Sequence, residues 1–336
     1  MLNRNALCIA PALVALYMPM CTPRVHPTKA PWETQMAELW QRPVDLPDRD
    51  LFRGPWAARH APNPDAVYTF VATKQTGTNP GVVVTDPEGR EWHVKQPPPN
   101  NQGAEGPTEV VVSRVLSAVG YHQPPVYFVP TFMMRDETGI HVAPGGRFRL
   151  KLPDLKKTGN WSWQENPFVG TKPYQGLLVI LMMLDSSDLK NANNSLYDVK
   201  TPNGVEHWYV VRDLGTALGE TGRLHPKRGD IDLFERLPFI TGVRQGFARF
   251  AYDGWHQELI DRRITPEDIG WACDLLSGVS RAQWLDAFRA GGYSPEIAAR
   301  FTRRVLQRID EGQRTVGLRA SLNVRQDAAD NPPYGR

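Results

Sequence analysis

Ser186-Ser187-Asp188-Leu189-Lys190-Asn191-Ala192-Asn193-Asn194-Ser195-Leu196 is a mostly polar run, interrupted by Leu189 and Ala192 and closed by Leu196. Before it, residues 174–184 are apolar almost without interruption and long enough for a buried helix. After it, a short strand, a turn at Asn203-Gly204 and a second strand lead to Arg212-Asp213-Leu214-Gly215. A carboxylate, an ammonium and an amide are thus held on one loop between a helix and a hairpin. A second carboxylate stands at the end of the hairpin, twenty residues past Asn193.

Upstream the periodicity changes. Residues 67–73, 82–85 and 91–96 read as strands, separated by Lys74-Gln-Thr-Gly-Thr-Asn-Pro-Gly81 and by the turn Asp86-Pro-Glu-Gly89, which together suggest a meander of short antiparallel strands. Thr108 is placed to cap a helix whose Val111, Val115, Leu116 and Val119 share a face up to Gly120. Residues 126–132 and 147–152 are further strand candidates. Lys95 alternates with Trp92 and Val94 and faces away from the core they imply. An exposed strand lysine is the plainer alternative. Glu109, in the first turn of the helix, is a partner for Lys95 or simply a favourable charge at a helix N-terminus; Glu105, in a Gly/Pro loop, competes with it.

The segment 186–196 resembles the protein-kinase catalytic loop, H-R-D-L-K-x-x-N, with Asp188, Leu189, Lys190 and Asn193 at matching spacing, and Asp213-Leu214-Gly215 resembles the kinase D-F-G. The resemblance implies an α+β, two-lobed protein-kinase-like fold: a small antiparallel-β lobe with one helix (66–152) and a larger, mainly helical lobe (153–315). It implies ATP and Mg²⁺ as ligands and a protein or small-molecule hydroxyl as acceptor. Asp188 would be the base, Lys190 would neutralise the γ-phosphate, Asn193 and Asp213 would hold Mg²⁺, and Lys95, fixed by Glu109, would meet the phosphates. Gly77 and Gly81 stand where a glycine-rich loop would approach phosphate oxygens, although no G-x-G-x-x-G is present. Ser186 and Ser187 replace His and Arg, and no A-P-E follows, so the chain is similar to atypical kinases: HipA-type, phosphatidylinositol-4-kinase-like and secreted Golgi-type. Asp185 offers a second register for the base, but no Asn lies five residues beyond it. A kinase-fold nucleotide-binding module without catalysis, and an exported carbohydrate- or envelope-binding protein, are the competing readings.

The rest of the sequence sets bounds. With 39 Lys and Arg against 36 Asp and Glu in 336 residues, and no basic run, nothing points to nucleic acid. Three cysteines without a C-x-x-C pair argue against a disulfide framework or a Cys-rich zinc site. Residues 6–20 are mostly apolar behind Arg4, too short for a membrane span and the length of a signal-peptide core, so 1–21 is read as an export signal, with a misassigned start and a cytoplasmic protein as the alternative. Met20 before Cys21 disfavours lipidation. Residues 22–65, rich in Pro, Trp and Arg, read as an extension that wraps the body, and 316–336 as a disordered tail. From about residue 216 helices are expected, with Tyr252, Trp255 and His256 in a helical core; Trp161 and Trp163 are expected to pack rather than stack a base, and His207 and Trp208 to lie on a surface strand.

Overall fold

The computed structural model describes residues 31–56, 60–75, 79–98, 105–202, 204–221 and 227–330; the export-signal segment, Gly77, Asn203 and residues 331–336 lie outside them. In chain order the first half carries α1 (Pro31–Met36), β1 (Val67–Thr73), β2 (Gly81–Thr85), β3 (Glu91–Lys95), α2 (Glu105–Ala118), β4 (Val126–Asp136) and β5 (Gly139–Leu150). The five strands close into a barrel in the order β1-β2-β3-β5-β4, and β1 completes it by pairing parallel to β4, Tyr68 opposite Met134. The antiparallel meander expected from the sequence is present as β1-β2-β3; what it did not include is the closure through β5 and β4, by which short strands with one apolar face bury it and lose their open edges. Tyr68, Trp92, Phe132 and Phe148 fill the interior, with edge-on ring contacts of 5.6 Å from Tyr68 to each phenylalanine and 5.1 Å between the two. Because side chains alternate, burying Trp92, Val94 and Phe148 turns His93, Lys95, Arg147 and Arg149 to the outer face.

Thr108 does not cap α2. The helix starts a turn earlier, at Glu105, and Thr108 lies inside it with Oγ1 2.9 Å from the Tyr293 hydroxyl. Pro107 permits this, since an amide in the first turn has no helical acceptor. Val111, Val112, Val115 and Leu116 pack into a core separate from the barrel's, so α2 belongs by its packing to the larger body.

That body contains β6 (Leu155–Gly159), α3 (Lys172–Met183), β7 (Asn194–Thr201), β8 (Gly204–Val211), β9 (Glu220–Thr221), β10 (Lys227–Arg228), α4 (Ile231–Arg236), β11 (Ile240–Arg244), β12 (Phe247–Phe250), α5 (Pro266–Ser277), α6 (Arg281–Ala290) and α7 (Pro295–Asp330). The apolar helix α3 runs through its centre, buried from Leu177 to Met183. Capping boxes at Thr265/Asp268 and Ser280/Gln283 start α5 and α6. The region after residue 216 is less helical than expected. Gln245 and Gly246 both have positive φ (53° and 81°), the signature of a two-residue hairpin turn that joins β11 to β12. Tyr252, Trp255 and His256 follow in irregular backbone, and Trp255 is 56% exposed rather than in the core. Trp161 and Trp163 pack as expected, both buried. Trp208 stacks on the His122 ring at 4.3 Å, while His207 Nδ1 lies 2.9 Å from Asp198.

Residues 39–51, within the segment read as an extension, pack on the larger body. Leu39, Leu46 and Leu51 are buried in the larger core, Trp40 donates to the Val119 carbonyl, and the Arg49 guanidinium donates to the carbonyls of Ser117 and Ala118 at the α2 C-terminus. The helix α7 continues through the residues read from sequence as a tail, as far as Asp330. No helix of the described residues is long and apolar enough to cross a membrane.

Arg308 of α7 is 1% exposed and donates to the carbonyls of Met183, Phe234 and Leu237, tying α7 to the end of α3 and to α4. Arg308→Met keeps the stem but removes this donor from the Met183 and Phe234 carbonyls, while the Leu237 carbonyl keeps Arg304 at 2.7 Å. It is expected to lower the unfolding free energy by about 3 kcal/mol, read as a fall in the urea midpoint at constant slope.

Candidate functional site

Lys95 ends β3 on the outer face of the barrel, where the larger body meets it. Its ammonium lies 3.2 Å from Glu105 Oε1 and 3.5 Å from Glu109 Oε2, and donates to Asp213 Oδ1 in a close contact. Both glutamates come from the first turns of α2, four residues apart and so on one face. The sequence reading chose Glu109 over Glu105; the fold uses both, because the earlier start of α2 puts Glu105 on the helix. Each glutamate has a second cation: Arg147 Nε is 3.0 Å from Glu109 Oε1, and Arg228 Nη1 is 2.8 Å from Glu105 Oε1. Burial disfavours the Lys95 ammonium, but Glu109, Asp213 and Glu105 outweigh it and raise its pKa. Burial likewise works to raise the Asp213 pKa, and the neighbouring Lys95 charge overrides it and holds the carboxylate below its usual range.

Asp213 follows β8 in the left-handed region (φ 58°), a conformation aspartate tolerates better than most residues, and a single 3₁₀ turn, Leu214–Thr216, begins there. Gly215 permits the approach of α2: a Cβ on it would stand 2.1 Å from Glu105 Cγ and 2.9 Å from the Glu105 carbonyl oxygen.

The loop with Asp188 is anchored by Leu189, 2% exposed in the larger core. Lys190 places its ammonium 2.9 Å from Asp188 Oδ1, out of line for a hydrogen bond, and 4.7 Å above the Trp255 ring. Asn193 closes a 3₁₀ turn and donates from Nδ2 to the Asp188 carbonyl at 3.2 Å, so its amide is fixed relative to the base candidate. Asn191 accepts from the Trp163 amide at 2.9 Å and pins the middle of the loop to the packed tryptophans.

Lys95, Glu109, Asp188, Lys190, Asn193 and Asp213 line one cavity of about 780 Å³ between the barrel and the larger body. Gly81 pairs with Lys95 across the β2–β3 ladder, and a Cβ there would meet the Val94 carbonyl oxygen at 2.3 Å, so its glycine serves strand packing. Lys74, Arg147, Arg149, Arg212 and Arg228 line the same cavity and were not singled out from the sequence. For two of them a signal existed: Arg147-Phe148-Arg149-Leu150 has the same alternation as Trp92-His93-Val94-Lys95, and the two strands pair in register. The lining holds eight Lys and Arg against four Asp and Glu, a cationic cleft in a nearly neutral chain. Among the described residues no group of three or more His, Cys, Asp or Glu is placed to hold a metal by itself.

Asp185 lies elsewhere. It occupies the left-handed position after α3 (φ 56°), where its amide donates to the Met182 carbonyl and that of Ser186 to Leu181, and it lines a different cavity beside Tyr252 and Trp255. Geometry therefore favours Asp188 as the carboxylate that faces the Lys95 cleft.

No protein-family model and no curated protein matches the chain. Among solved structures, the chain is similar to a Helicobacter pylori proinflammatory kinase, CtkA, at 14% identity, over 76% of this chain and 99% of that one, with a TM-score of 0.44. It is also similar to the Golgi casein kinase, at 11% identity over 86% and 87% of the two chains, with a TM-score of 0.41.

Burial pushes the Asp185 carboxyl up to about 6. A carboxylate raised in the folded state binds more protons folded than unfolded between its two pKa values, so its contribution to stability falls as pH rises from about 4 to 6. Asp185→Asn retains the left-handed cap and removes the titration. The difference between wild-type and variant unfolding free energies, followed by denaturant melts, should decline across that window and be flat above pH 7.

Proposed function

We propose that the chain is an ATP- and Mg²⁺-dependent phosphotransferase with an atypical kinase-like fold, which transfers the γ-phosphoryl group of ATP to a hydroxyl on a protein or small molecule. One observation carries this reading: Lys95, Asp188, Lys190, Asn193 and Asp213, drawn from a barrel strand, a loop and the end of a hairpin, line a single cationic cleft.

Phosphoryl transfer asks for positioned charge more than for covalent chemistry. Lys95 turns from Asp213 to the α- and β-phosphates, and Glu105 and Glu109 keep its ammonium in place. Mg²⁺ is commonly held by one or two carboxylates, with substrate phosphates and water supplying the other oxygens. Asp213 and Asn193 fit that donor set, and the cation would supply neutralisation of charge on the transferring group. Asp188 accepts the proton of the acceptor hydroxyl as its oxygen bonds to the γ-phosphorus and the bond from that phosphorus to the bridging oxygen breaks. Lys190, already beside Asp188, faces the γ-phosphate and is steadied by the Trp255 ring. Each charge freed by this exchange finds a new partner, so no buried ion is left unanswered.

Asp188→Asn should reduce phosphoryl transfer by about 10²- to 10⁴-fold while leaving the Mg²⁺- and ATP-dependent thermal shift intact, because a base acts mainly on the transition state. Lys95→Met and Asp213→Asn should each weaken nucleotide binding by roughly tenfold or more, with folding checked by circular dichroism. A thermal shift unchanged in both of these variants would overturn the assignment.

A further inference from the structure

The cleft continues past Lys95 along the β3–β5 ladder. In the β3–β5 ladder Lys95 stands opposite Arg147, and His93 opposite Arg149, so a second basic rung follows the first at a rise of about 7 Å. A further cavity of about 350 Å³ opens there, sharing His93, Arg149, Lys157 and Arg212 with the main cleft. No Asp or Glu lines it.

Of the side chains that line this cavity, Arg149 carries a buried donor that the described contacts leave unanswered. Its Nη1 is shielded from solvent and has no hydrogen-bond partner. Burial, and next the charge of Arg147, push its guanidinium below the ordinary arginine range. Arg212 enters from the end of β8 with Nη1 3.2 Å from the Ser195 hydroxyl, and Lys157 from β6. Lys157 is exposed and on its own would be a solvated lysine; Arg149 is not open to that explanation. A guanidinium with an unanswered donor, lining the same cavity as a second guanidinium, is suited to recognising phosphate oxygens by charge-assisted hydrogen bonds.

We infer that the end of the cleft beside His93 and Arg149 is a second phosphate subsite, built on Arg149 and Arg212, so that the molecule held at Lys95 carries a further phosphate group about one rung away. The inference rests on the nucleotide reading of the Lys95 cleft and narrows its ligand. The added group is either a phosphate on the ribose of the nucleotide or a further unit of a linear polyphosphate. Both offer Arg149 the same anionic oxygens.

Titration calorimetry of the full chain with Mg²⁺ at fixed ionic strength separates the cases, using ATP, ATP bearing a ribose 3′-phosphate, and a short linear polyphosphate. One of the two longer anions should bind roughly tenfold or more tightly than ATP, and which one identifies the source. Arg149→Gln should cost the favoured longer anion roughly tenfold more than it costs ATP; Lys157→Gln, a surface change that spares the fold, should reduce the advantage in the same direction. Equal binding of all three probes by the wild type, or an equal loss for all three in Arg149→Gln, would overturn the subsite. Failure of the nucleotide reading looks different: ATP then binds neither wild type nor variant, while polyphosphate bound by wild type and lost in Arg149→Gln still upholds the subsite.

Discussion

The Lys95 side chain is only 7% exposed, so its ammonium has lost most of its water and must be answered by the protein around it. Glu105 and Glu109 answer from one helix and Asp213 from the end of a hairpin. Lys95 belongs to the barrel, whereas α2 and the hairpin are packed in the other core. One buried charge therefore couples two bodies that share little apolar contact. Withdrawing one partner from such a cluster costs about 3–5 kcal/mol, because it strands the charges that remain. The fold keeps the partners close by local means: α2 begins early enough to carry both glutamates, and Gly215 has no Cβ to hold Glu105 away.

The same pairing leaves an uneven field in the cleft. At its floor three carboxylates meet Lys95, Arg147 and Arg228, and their charges cancel. Along its walls Lys74, Arg149, Lys157 and Arg212 add cations without adding carboxylates. Burial, together with the charges of Lys95 and Arg147, holds the Lys74 pKa below its ordinary value, as expected where positive groups crowd one another. An anion entering from solvent meets this surplus first and can then exchange partners with the floor. Asp213, with nearly half of its side chain open to the cleft, is placed for that exchange.

Two aspartates in left-handed backbone bracket the segment that carries the chemistry. Asp185 ends α3 and releases the chain into the loop with Asp188; Asp213 ends β8 and turns its carboxylate toward Lys95. A non-glycine residue in this conformation costs about 1 kcal/mol or more, and it persists because α3 and the β7–β8 hairpin are fixed by packing on either side. Strain and charge are thus concentrated at the junction, while α3, α5 and α6 supply the rigidity.

The sequence determined whatever depends on near neighbours. The apolar run 174–184 reads as a buried helix, the proline after Thr265 and the Ser280/Gln283 box mark helix starts, and the spacing of Asp188, Lys190, Asn193 and Asp213 pointed to one cleft, since loop and hairpin lengths are local quantities. Lys95 was legible for the same reason, through its alternation with Trp92 and Val94. The tertiary structure alone decided the rest. Barrel closure through β1 and β4 joins residues more than sixty positions apart, and Gln245-Gly246 showed itself as a turn only through its backbone angles. Arg147 and Arg149 share the alternation of β3 in sequence, but only strand register set them opposite Lys95 and His93, and only packing brought Arg228 to Glu105. A charge's partner is set by distance in space, and no local pattern encodes that.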